Sequence, residues 1–416
     1  MNILYIHTHD TGRYILPFGY NVRTPNLMNL AQDGTLFRKA FCAGPTCSPS
    51  RAALLTGQSP HSCGMLGLSN FGNTLKDINK HLANYLPTQG YETFLCGMQH
   101  EGADNSIGYT KVIRDYSIKS KNNCDMMPTA EELYHEDENT ADAAREFIIT
   151  REKDFFLSCG FFATHRPFLS HANEDDFYTL SPGPLPDTCE IRADMADFTT
   201  SVSHADRSIG IVIDALKKSG KYDDTMIIST TDHGIAFPYM KCNLFDSGIG
   251  VSLIIKLPEG IGQPKVIDSL VSQIDIYPTI CDVLNISKPE WLEGESMMPL
   301  FSGQKQKIRN EIFSEITYHV DYEPQRCIRT ERYKLIKVYP EAIIPAFENT
   351  DNGLSRQYME ANGFDKEKRD ELMLFDLILD PNERNNLAYN PRYNEILINL
   401  SNDLHEWQQK TSDPLL

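Results

Sequence analysis

The chain has 416 residues, of which 41% are hydrophobic and 23% are charged. This length supports a large buried core and more than one domain, and the composition is typical of a globular protein. The 57 acidic residues outnumber the 39 basic ones and give a formal net charge of -18. Nucleic acids and anionic membranes would be repelled by such a surface, so we expect neither as a main partner.

The sequence also predicts where the protein works. No stretch approaches the roughly 18 consecutive apolar residues of a membrane span, and the opening MNILYIHTHD has strand character with no basic region of a signal peptide. Ten cysteines are scattered without a C-x-x-C pair. Because this usage is typical of a reducing compartment, we expect a cytoplasmic protein.

In chain order, the first two-thirds alternate short apolar runs with helical patterns. The first predicted strand covers residues 2–7, and the first helix begins at Thr24-Pro25 and ends before Gly34. Further strands are predicted over residues 36–41, 91–96, 155–161, 226–230 and 251–255. Further helices are predicted over residues 48–57, 139–149, 193–218 and 274–284. This alternation predicts an α/β fold with a mainly parallel central sheet sandwiched by helices.

The pattern changes after the polar segment 304–310. Strands are then predicted over residues 327–338 and 372–377, and an amphipathic helix over residues 393–407 closes the chain. We therefore predict a catalytic domain over residues 1–305 and a smaller C-terminal α+β subdomain over residues 306–416. The polar, irregular stretch 340–369 is predicted to form a loop on the substrate side.

The most informative motif is Cys47-Ser48-Pro49-Ser50-Arg51, followed by AALLTG. Ser48 and Pro49 are typical of a helix start, which would place Cys47 where free N–H groups and the helix dipole favour an anion. Arg51, one turn further on, adds a fixed cation. These residues alone indicate a nucleophile or an anion site, and they leave open a structural cysteine before a capped helix.

The run CSPSRAALLTG resembles the signature C-x-P-S-R followed by A-x-L-L-T-G of the formylglycine-dependent sulfatases, which belong to the alkaline phosphatase superfamily. The continuation through Pro60-His61 and residues 64–68 is most similar to the sulfamidase-like (N-sulfoglucosamine sulfohydrolase-like) branch. The resemblance implies that a maturation enzyme oxidises Cys47 to formylglycine, whose hydrate supplies a hydroxyl nucleophile.

The resemblance also implies a divalent metal ion that is bound by residue 47 and by two pairs of residues. His9-Asp10 stands where the family has Asp-Asp after the first strand, and Asp232-His233 stands where it has Asp-Asn after a later strand. Both pairs follow predicted strands, where sites in parallel sheets gather. The oxygen-rich family site usually holds calcium. Because imidazole suits manganese or zinc better, either the metal differs or one histidine lies outside the coordination sphere.

Three further residues match functional positions of the family: His100 in GMQH, His165 in THRPF, and Lys241. The resemblance implies that these residues and Arg51 contact the sulfate group. It further implies that His165, with Lys241, protonates the leaving atom, that His100 deprotonates the remaining hydroxyl, and that Arg51 orients the nucleophile. Met98 stands where the family has a lysine, which removes one positive charge from the expected sulfate site.

The resemblance extends into the C-terminal part through segments 329–335, 374–377 and 380–383, whereas residues 106–138 match no pattern that we can assign. His7, Thr11 and Arg13 lie close to the first metal pair in sequence. They either contact substrate or, as we favour, stabilise the end of the strand.

Together these expectations describe a sulfatase that removes sulfate from a sulfated sugar, such as a glycosaminoglycan fragment carrying an ester sulfate or an N-sulfate. Two alternatives stay open. One is a phosphodiester or phosphonate monoester hydrolase, since relatives with the same fold and modified residue attack phosphorus. The other is a catalytically inactive binding relative, to which Met98 points. The sequence also leaves the sugar, the metal and a homo-oligomeric state open.

Overall fold

The computed structural model describes residues 1–102, 107–115, 128–172, 174–259, 261–262 and 264–416. The strands are β1 (Asn2–Thr8), β2 (Thr35–Phe37), β3 (Ala40–Phe41), β4 (Glu92–Gly97), β5 (Lys111–Asp115), β6 (Phe155–Gly160), β7 (Thr225–Thr231), β8 (Leu253–Lys256), β9 (Val266–Ile267), β10 (Val271–Ser272), β11 (Glu311–Tyr318), β12 (Tyr322–Thr330), β13 (Tyr333–Val338) and β14 (Leu372–Asp376). The helices are α1 (Pro25–Asp33), α2 (Cys47–Thr56), α3 (Pro60–Cys63), α4 (Leu82–Thr88), α5 (Ala130–Thr150), α6 (Cys189–Lys218), α7 (Asp246–Ile249), α8 (Ile276–Leu284), α9 (Met298–Phe301), α10 (Leu354–Ala361) and α11 (Asn394–Thr411). Within these ranges, none of the helices combines the length and the apolar character that crossing a membrane requires.

The predicted α/β fold with a mainly parallel central sheet is confirmed. Eight strands lie in the order β5-β4-β6-β1-β7-β8-β2-β9, and β1 pairs in parallel with both β6 and β7. Helices cover both faces, and β1 shows why. Ile3 and Tyr5 join a core cluster with α2, α4 and α8, whereas Leu4 and Ile6 join a second cluster with α1, α5 and α6. Alternate side chains of a strand point to opposite faces, so this apolar strand is buried on both sides.

The C-terminal part forms a four-stranded antiparallel sheet in the order β11-β12-β13-β14. Neighbouring residues of β12 again point to opposite faces. Ile328 packs with Leu400 and Leu404 of α11, while Cys327 joins the core of the central sheet. The subdomain therefore has its own small core and is also fused to the main one. Since β11 begins at Glu311, we propose to keep the domain boundary between residues 305 and 306.

Several elements differ from the sequence-based expectation, since short elements such as α4 and β5 were not predicted and α5 begins earlier than expected. The strand predicted over residues 36–41 is split into β2 and β3, which belong to different sheets. The strand predicted over residues 327–338 is a hairpin, because Thr330 accepts a hydrogen bond from the backbone N–H of Tyr333 and closes a turn between β12 and β13. β11 was not predicted, and neither was α10, a short helix in which only Ser355 is fully buried while Tyr358 and Met359 pack partly buried against the core.

Asp137 of α5 holds the backbone that leaves β6 and leads to the catalytic region. Its two carboxylate oxygens accept hydrogen bonds from the backbone N–H groups of Phe162 at 2.8 Å and Ala163 at 2.9 Å. Burial raises the pKa of Asp137 to about 7, although these two N–H groups act in the opposite direction. A carboxyl group with a raised pKa in the folded state stabilises the fold most at low pH.

We predict that this contribution to the free energy of unfolding is complete below about pH 4 and is lost as the pH rises through about 7. The stability difference between the wild type and Asp137→Asn should therefore fall by up to about 3 kcal/mol between pH 5 and pH 8, as measured by urea unfolding. Asp142→Asn is the matched control, because Asp142 lies on the same helix and is 55% exposed. Parallel pH profiles of the wild type and Asp137→Asn would contradict the assignment.

Candidate active site

The two predicted metal pairs emerge side by side because β1 and β7 are parallel neighbours. Thr8 pairs with Thr231, so the residues that follow each strand meet at the same edge of the sheet. The backbone N–H of Asp10 donates to Asp232 Oδ1 at 2.8 Å and joins the two strand ends directly. Asp10 has φ of 46°, a left-handed conformation that is uncommon for a residue other than glycine and that often marks functional sites.

These strand ends carry a compact buried cluster of metal-ligating side chains. His9 Nδ1 lies 2.6 Å from Asp10 Oδ1 and 3.3 Å from Asp232 Oδ2. His233 Nε2 lies 3.4 Å from Asp10 Oδ1 and 3.6 Å from Asp232 Oδ2. Cys47 completes the group, since one ligand atom from each of His9, Asp10, Cys47 and Asp232 lies within 4.8 Å of all the others. All five predicted metal ligands are therefore brought together.

The chemistry of this cluster fits a divalent cation. Two buried imidazole nitrogens, His9 Nε2 and His233 Nε2, have no hydrogen-bond partner among the residues that the structure describes. His233 Nδ1 donates to the carbonyl of Gly234 at 2.9 Å, which leaves the lone pair on Nε2. Buried polar atoms are normally paired, so free nitrogen atoms beside two carboxylates are typical of a metal site.

Electrostatics keep both carboxylates of the cluster ionised. Burial alone would raise the pKa of Asp10, but Lys241, His9 and His233 lower it well below its usual range. The pKa of Asp232 is lowered in the same way, by His233, His9 and Arg51 against the effect of burial. Burial also lowers the pKa of His9 to about 4, so this imidazole is neutral and able to bind a cation at neutral pH.

Cys47 is the first residue of α2 and is almost completely buried. Thr46, not Ser48, occupies the N-cap position, and the Ser48 hydroxyl instead accepts a hydrogen bond from the backbone N–H of Ser69 at 3.1 Å. Burial raises the pKa of the Cys47 thiol well above its ordinary value, although Lys241 acts in the opposite direction. Because the thiolate is the nucleophilic form, an unmodified Cys47 would react poorly at neutral pH.

Arg51, one turn further along α2, connects the helix to both strand ends. Its guanidinium donates to the backbone carbonyl of Thr8 and to Asp232 Oδ2, each at 3.0 Å. A further nitrogen of the guanidinium lies 2.5 Å from His7 Nδ1. Burial and Arg51 together lower the pKa of His7 well below its usual range, so His7 is a neutral acceptor that supports Arg51.

Thr11 and Arg13 also make contacts within the protein. The Thr11 hydroxyl donates to Thr8 Oγ1 at 2.7 Å. Arg13 donates to the carbonyl of Ala40 at 2.9 Å and lies over the ring of Phe41. These contacts, with the one between His7 and Arg51, agree with the strand-end role that we favoured over substrate binding.

The remaining predicted residues lie around the same cluster. Lys241 Nζ donates to Asp10 Oδ2 at 2.9 Å, and His165 Nε2 lies 4.0 Å from the same oxygen. The rings of His100 and His9 are 6.0 Å apart, and a second group of mutually close ligand atoms joins these two histidines to Cys47. Burial, reinforced by His9 and Arg51, lowers the pKa of His100 well below its usual range, so it is a neutral base.

The surroundings of Met98 do not suit the lysine that the family has at this position. Its side chain is buried in an apolar cluster with Leu133 and Phe162. A lysine here would need a polar partner, because an unpaired buried charge is costly. The cations that the structure brings to the strand ends are instead Arg51 and Lys241.

One acidic residue of the site, Asp351, was not predicted from the sequence. Asp351 Oδ2 lies 2.9 Å from Lys241 Nζ, so Lys241 is held between Asp10 and Asp351. Asp351 belongs to the stretch 340–369, which we predicted to lie on the substrate side. No local motif marks this residue, because its partner is more than a hundred positions away in the chain.

Comparison with known proteins now assigns the family. A sulfatase family model matches residues 1–286, which is more than half of the chain. The chain belongs to the sulfatase family. The expected enzyme class, a sulfuric ester hydrolase, is thereby confirmed, and the buried His/Asp/Cys cluster agrees with the metal dependence that is typical of sulfatases. A second model, N-sulphoglucosamine sulphohydrolase, C-terminal, matches residues 233–352 of this sulfatase.

Individual relatives agree with this assignment. The sulfatase is 27% identical to human N-sulphoglucosamine sulphohydrolase over 452 aligned positions, which cover 94% of this chain and 86% of the relative. A solved 2-O GAG sulfatase superposes with a TM-score of 0.76 at 22% identity, covering 99% of this chain and 92% of that one. A phosphonate monoester hydrolase of Agrobacterium radiobacter superposes with a TM-score of 0.73 at 20% identity, covering 99% and 96%. The two structural matches show the shared fold.

We predict that Asp232→Asn lowers the metal content of the purified sulfatase, as measured by inductively coupled plasma mass spectrometry. The change keeps the side-chain shape and one oxygen acceptor for the N–H groups of Asp10 and His233 but removes the ligand charge. Loss of a residue that only supports a ligand costs roughly 10- to 100-fold in metal affinity, and loss of a ligand should cost at least as much. His135→Ala is the control, because His135 is 67% exposed on α5. Equal metal content in Asp232→Asn and the wild type would rule out this ligand set.

Proposed function

We propose that this sulfatase removes sulfate from a sulfated glycosaminoglycan-type sugar and that formylglycine derived from Cys47 is the nucleophile. The observation that carries this proposal is the position of Cys47, whose sulfur lies within 4.8 Å of ligand atoms of His9, Asp10 and Asp232. This residue opens the sequence CSPSR, in which the oxidised cysteine of the family occurs. Oxidation would replace a protonated thiol with an aldehyde whose hydrate carries two hydroxyl groups.

In the proposed reaction, one hydroxyl of the hydrate gives its proton to solvent and attacks sulfur, and the bond from sulfur to the sugar oxygen or nitrogen breaks. Each cycle consumes one water molecule, which adds to the regenerated aldehyde and restores the hydrate. His165, next to Lys241, supplies the proton that the leaving atom takes up. His100, which is neutral, then accepts the proton of the second hydroxyl, so that the carbonyl forms again and sulfate is released. Arg51 holds Asp232 and the end of β1 in place and balances charge that develops on the sulfate oxygens.

His9, Asp10, Asp232 and His233 are the residues that would hold a divalent metal ion beside residue 47. When bound, such an ion withdraws charge from oxygen atoms and makes a nearby hydroxyl more acidic. Two imidazoles among the donors favour manganese or zinc over calcium, because calcium prefers oxygen ligands. The donor set therefore supports manganese or zinc as the ion in this proposal.

N-sulfated glucosamine is the first candidate substrate. The relative of 27% identity is named for hydrolysis of this compound, and the C-terminal model that matches residues 233–352 carries the same name. The overall change would be RNHSO₃⁻ + H₂O → RNH₃⁺ + SO₄²⁻. The phosphonate hydrolase shares the fold alone, so cleavage at phosphorus is the alternative that the substrate test addresses.

Three further parts of the proposal come from the sequence. A formylglycine-generating maturation enzyme would be a transient partner of the chain. A cytoplasmic location, predicted from the cysteine usage, would favour small imported sugars over long polymers as substrates. The proposal holds equally for a single chain and for a homo-oligomer, because every residue that it assigns lies in one chain.

We predict that Cys47→Ala lowers kcat/KM by at least about a thousandfold, because the nucleophile is removed. Mass spectrometry of the peptide that contains residue 47 should show CHO in place of CH₂SH in the active wild type. Cys189→Ala is the control, since this cysteine is exposed at the start of α6 and belongs to none of the groups of close ligand atoms. An active wild type with an intact thiol at residue 47 would overturn this route.

We also predict a preference for sulfur over phosphorus. The matured enzyme should cleave N-sulfoglucosamine or glucosamine O-sulfates with a kcat/KM at least about a hundredfold above that for phosphodiesters and phosphonate monoesters. The measurement is a panel of these compounds at one pH and one metal concentration. Preference for a phosphorus compound would replace the sulfatase proposal with the phosphonate hydrolase alternative.

A further inference from the structure

Asp351 is an acidic group in a site built for an anion. Its Oδ2 lies 2.9 Å from Lys241 Nζ, and the other partner of Lys241 is Asp10 Oδ2, also at 2.9 Å. The carboxylate of Asp351 is therefore separated from the metal-ligating cluster by a single ammonium group. The reaction proposed above does not use it, although a negative charge here opposes the binding of sulfate.

The exposure of Asp351 places it at the mouth of the site. The side chain of Lys241 is 2% exposed and that of Asp10 is fully buried, whereas that of Asp351 is 22% exposed. Its Oδ2, which faces Lys241, is buried. The exposed area thus lies on the rest of the side chain, which includes Oδ1. His165 is also partly exposed, at 13%, so these two side chains border the cluster where solvent reaches it.

The backbone on both sides of Asp351 is anchored, so its position is well defined. The Asn349 side chain accepts hydrogen bonds from the two backbone N–H groups of the turn 320–321, each at 2.9 Å. On the other side, the backbone N–H of Ser355 donates to Asp194 Oδ2 at 3.0 Å. A side chain on a backbone that is anchored on both sides is suited to recognising a substrate, because little entropy is lost when it makes a new hydrogen bond.

We propose that Asp351 is a specificity-determining residue that accepts a hydrogen bond from a sugar hydroxyl next to the scissile sulfate and disfavours a second anionic group at that place. This inference rests on the proposed function. A carboxylate can accept a hydrogen bond from a hydroxyl, but it repels a sulfate or a carboxylate. The sulfatase would therefore prefer a sugar with one sulfate over the same sugar with a further sulfate on the neighbouring hydroxyl.

The test compares N-sulfoglucosamine with its 3-O-sulfated and 6-O-sulfated forms by the release of the N-sulfate. We expect the wild type to have a higher kcat/KM for the monosulfated sugar than for at least one of the disulfated sugars. In Asp351→Asn, the ratio of kcat/KM for the monosulfated sugar to kcat/KM for that disulfated sugar should fall by roughly tenfold. The KM for the monosulfated sugar should rise. Loss of the ion pair between Asp351 and Lys241 would change kcat for all three sugars alike. The ratio therefore isolates the interaction of Asp351 with the second sulfate group.

Glu348→Gln is the matched control. Glu348 lies three residues before Asp351 and its side chain is 69% exposed, so the change removes the same charge at a nearby surface position. It should leave the ratio unchanged. If Asp351→Asn does not fold, Asp351→Ser removes the same charge with a smaller side chain and carries the same expectation. An unchanged ratio in the folded Asp351 variant would overturn this inference while the proposed function stands. A matured wild type that releases the N-sulfate from none of the three sugars would instead overturn N-sulfated glucosamine as the substrate, and this inference with it.

Discussion

The site depends on two buried carboxylates that meet at the ends of neighbouring parallel strands. The backbone N–H of Asp10 donates to the Asp232 carboxylate at 2.8 Å, and one carboxylate oxygen of Asp10 lies within 4.8 Å of one of Asp232. Two like charges this close are tolerated only if each has a compensating partner. Arg51 provides this partner for Asp232, and Lys241 provides it for Asp10. The two cations come from different parts of the chain, so the folded sheet, the helix after Cys47 and the segment after β7 must assemble together.

This arrangement also explains the local choices around Cys47. The helix α2 is buried along its whole length, and its first turn faces the strand ends where the carboxylates lie. Ser50 supports the same geometry, since its hydroxyl donates to the backbone carbonyl of Asp232 at 2.6 Å. The motif CSPSR therefore combines a reacting position, a residue that fixes the second strand end and a cation. Its residue types are needed together because they contact one small volume.

The C-terminal subdomain contributes to the site through the segment before α10, whereas the central sheet supplies the cluster itself. Asp351 reaches Lys241 from this segment, and Asn349 ties it to the turn between β11 and β12. In our proposals, the catalytic chemistry and the recognition of the sugar therefore lie on different parts of the fold. Such a division allows recognition to change without disturbing the buried charges.

The sequence by itself determined the fold class, the strand ends that carry His9-Asp10 and Asp232-His233, and the motif at Cys47. It could do so because these features are local: apolar alternation marks a buried strand, and a short motif occupies one helix turn. Only the tertiary structure decided that Thr46 occupies the N-cap position of α2, that His7 supports Arg51, and that residues 36–41 and 327–338 each form two strands. It alone also brought Asp351 to Lys241. These outcomes depend on contacts between residues far apart in the chain, and such contacts leave no periodicity or spacing in the sequence.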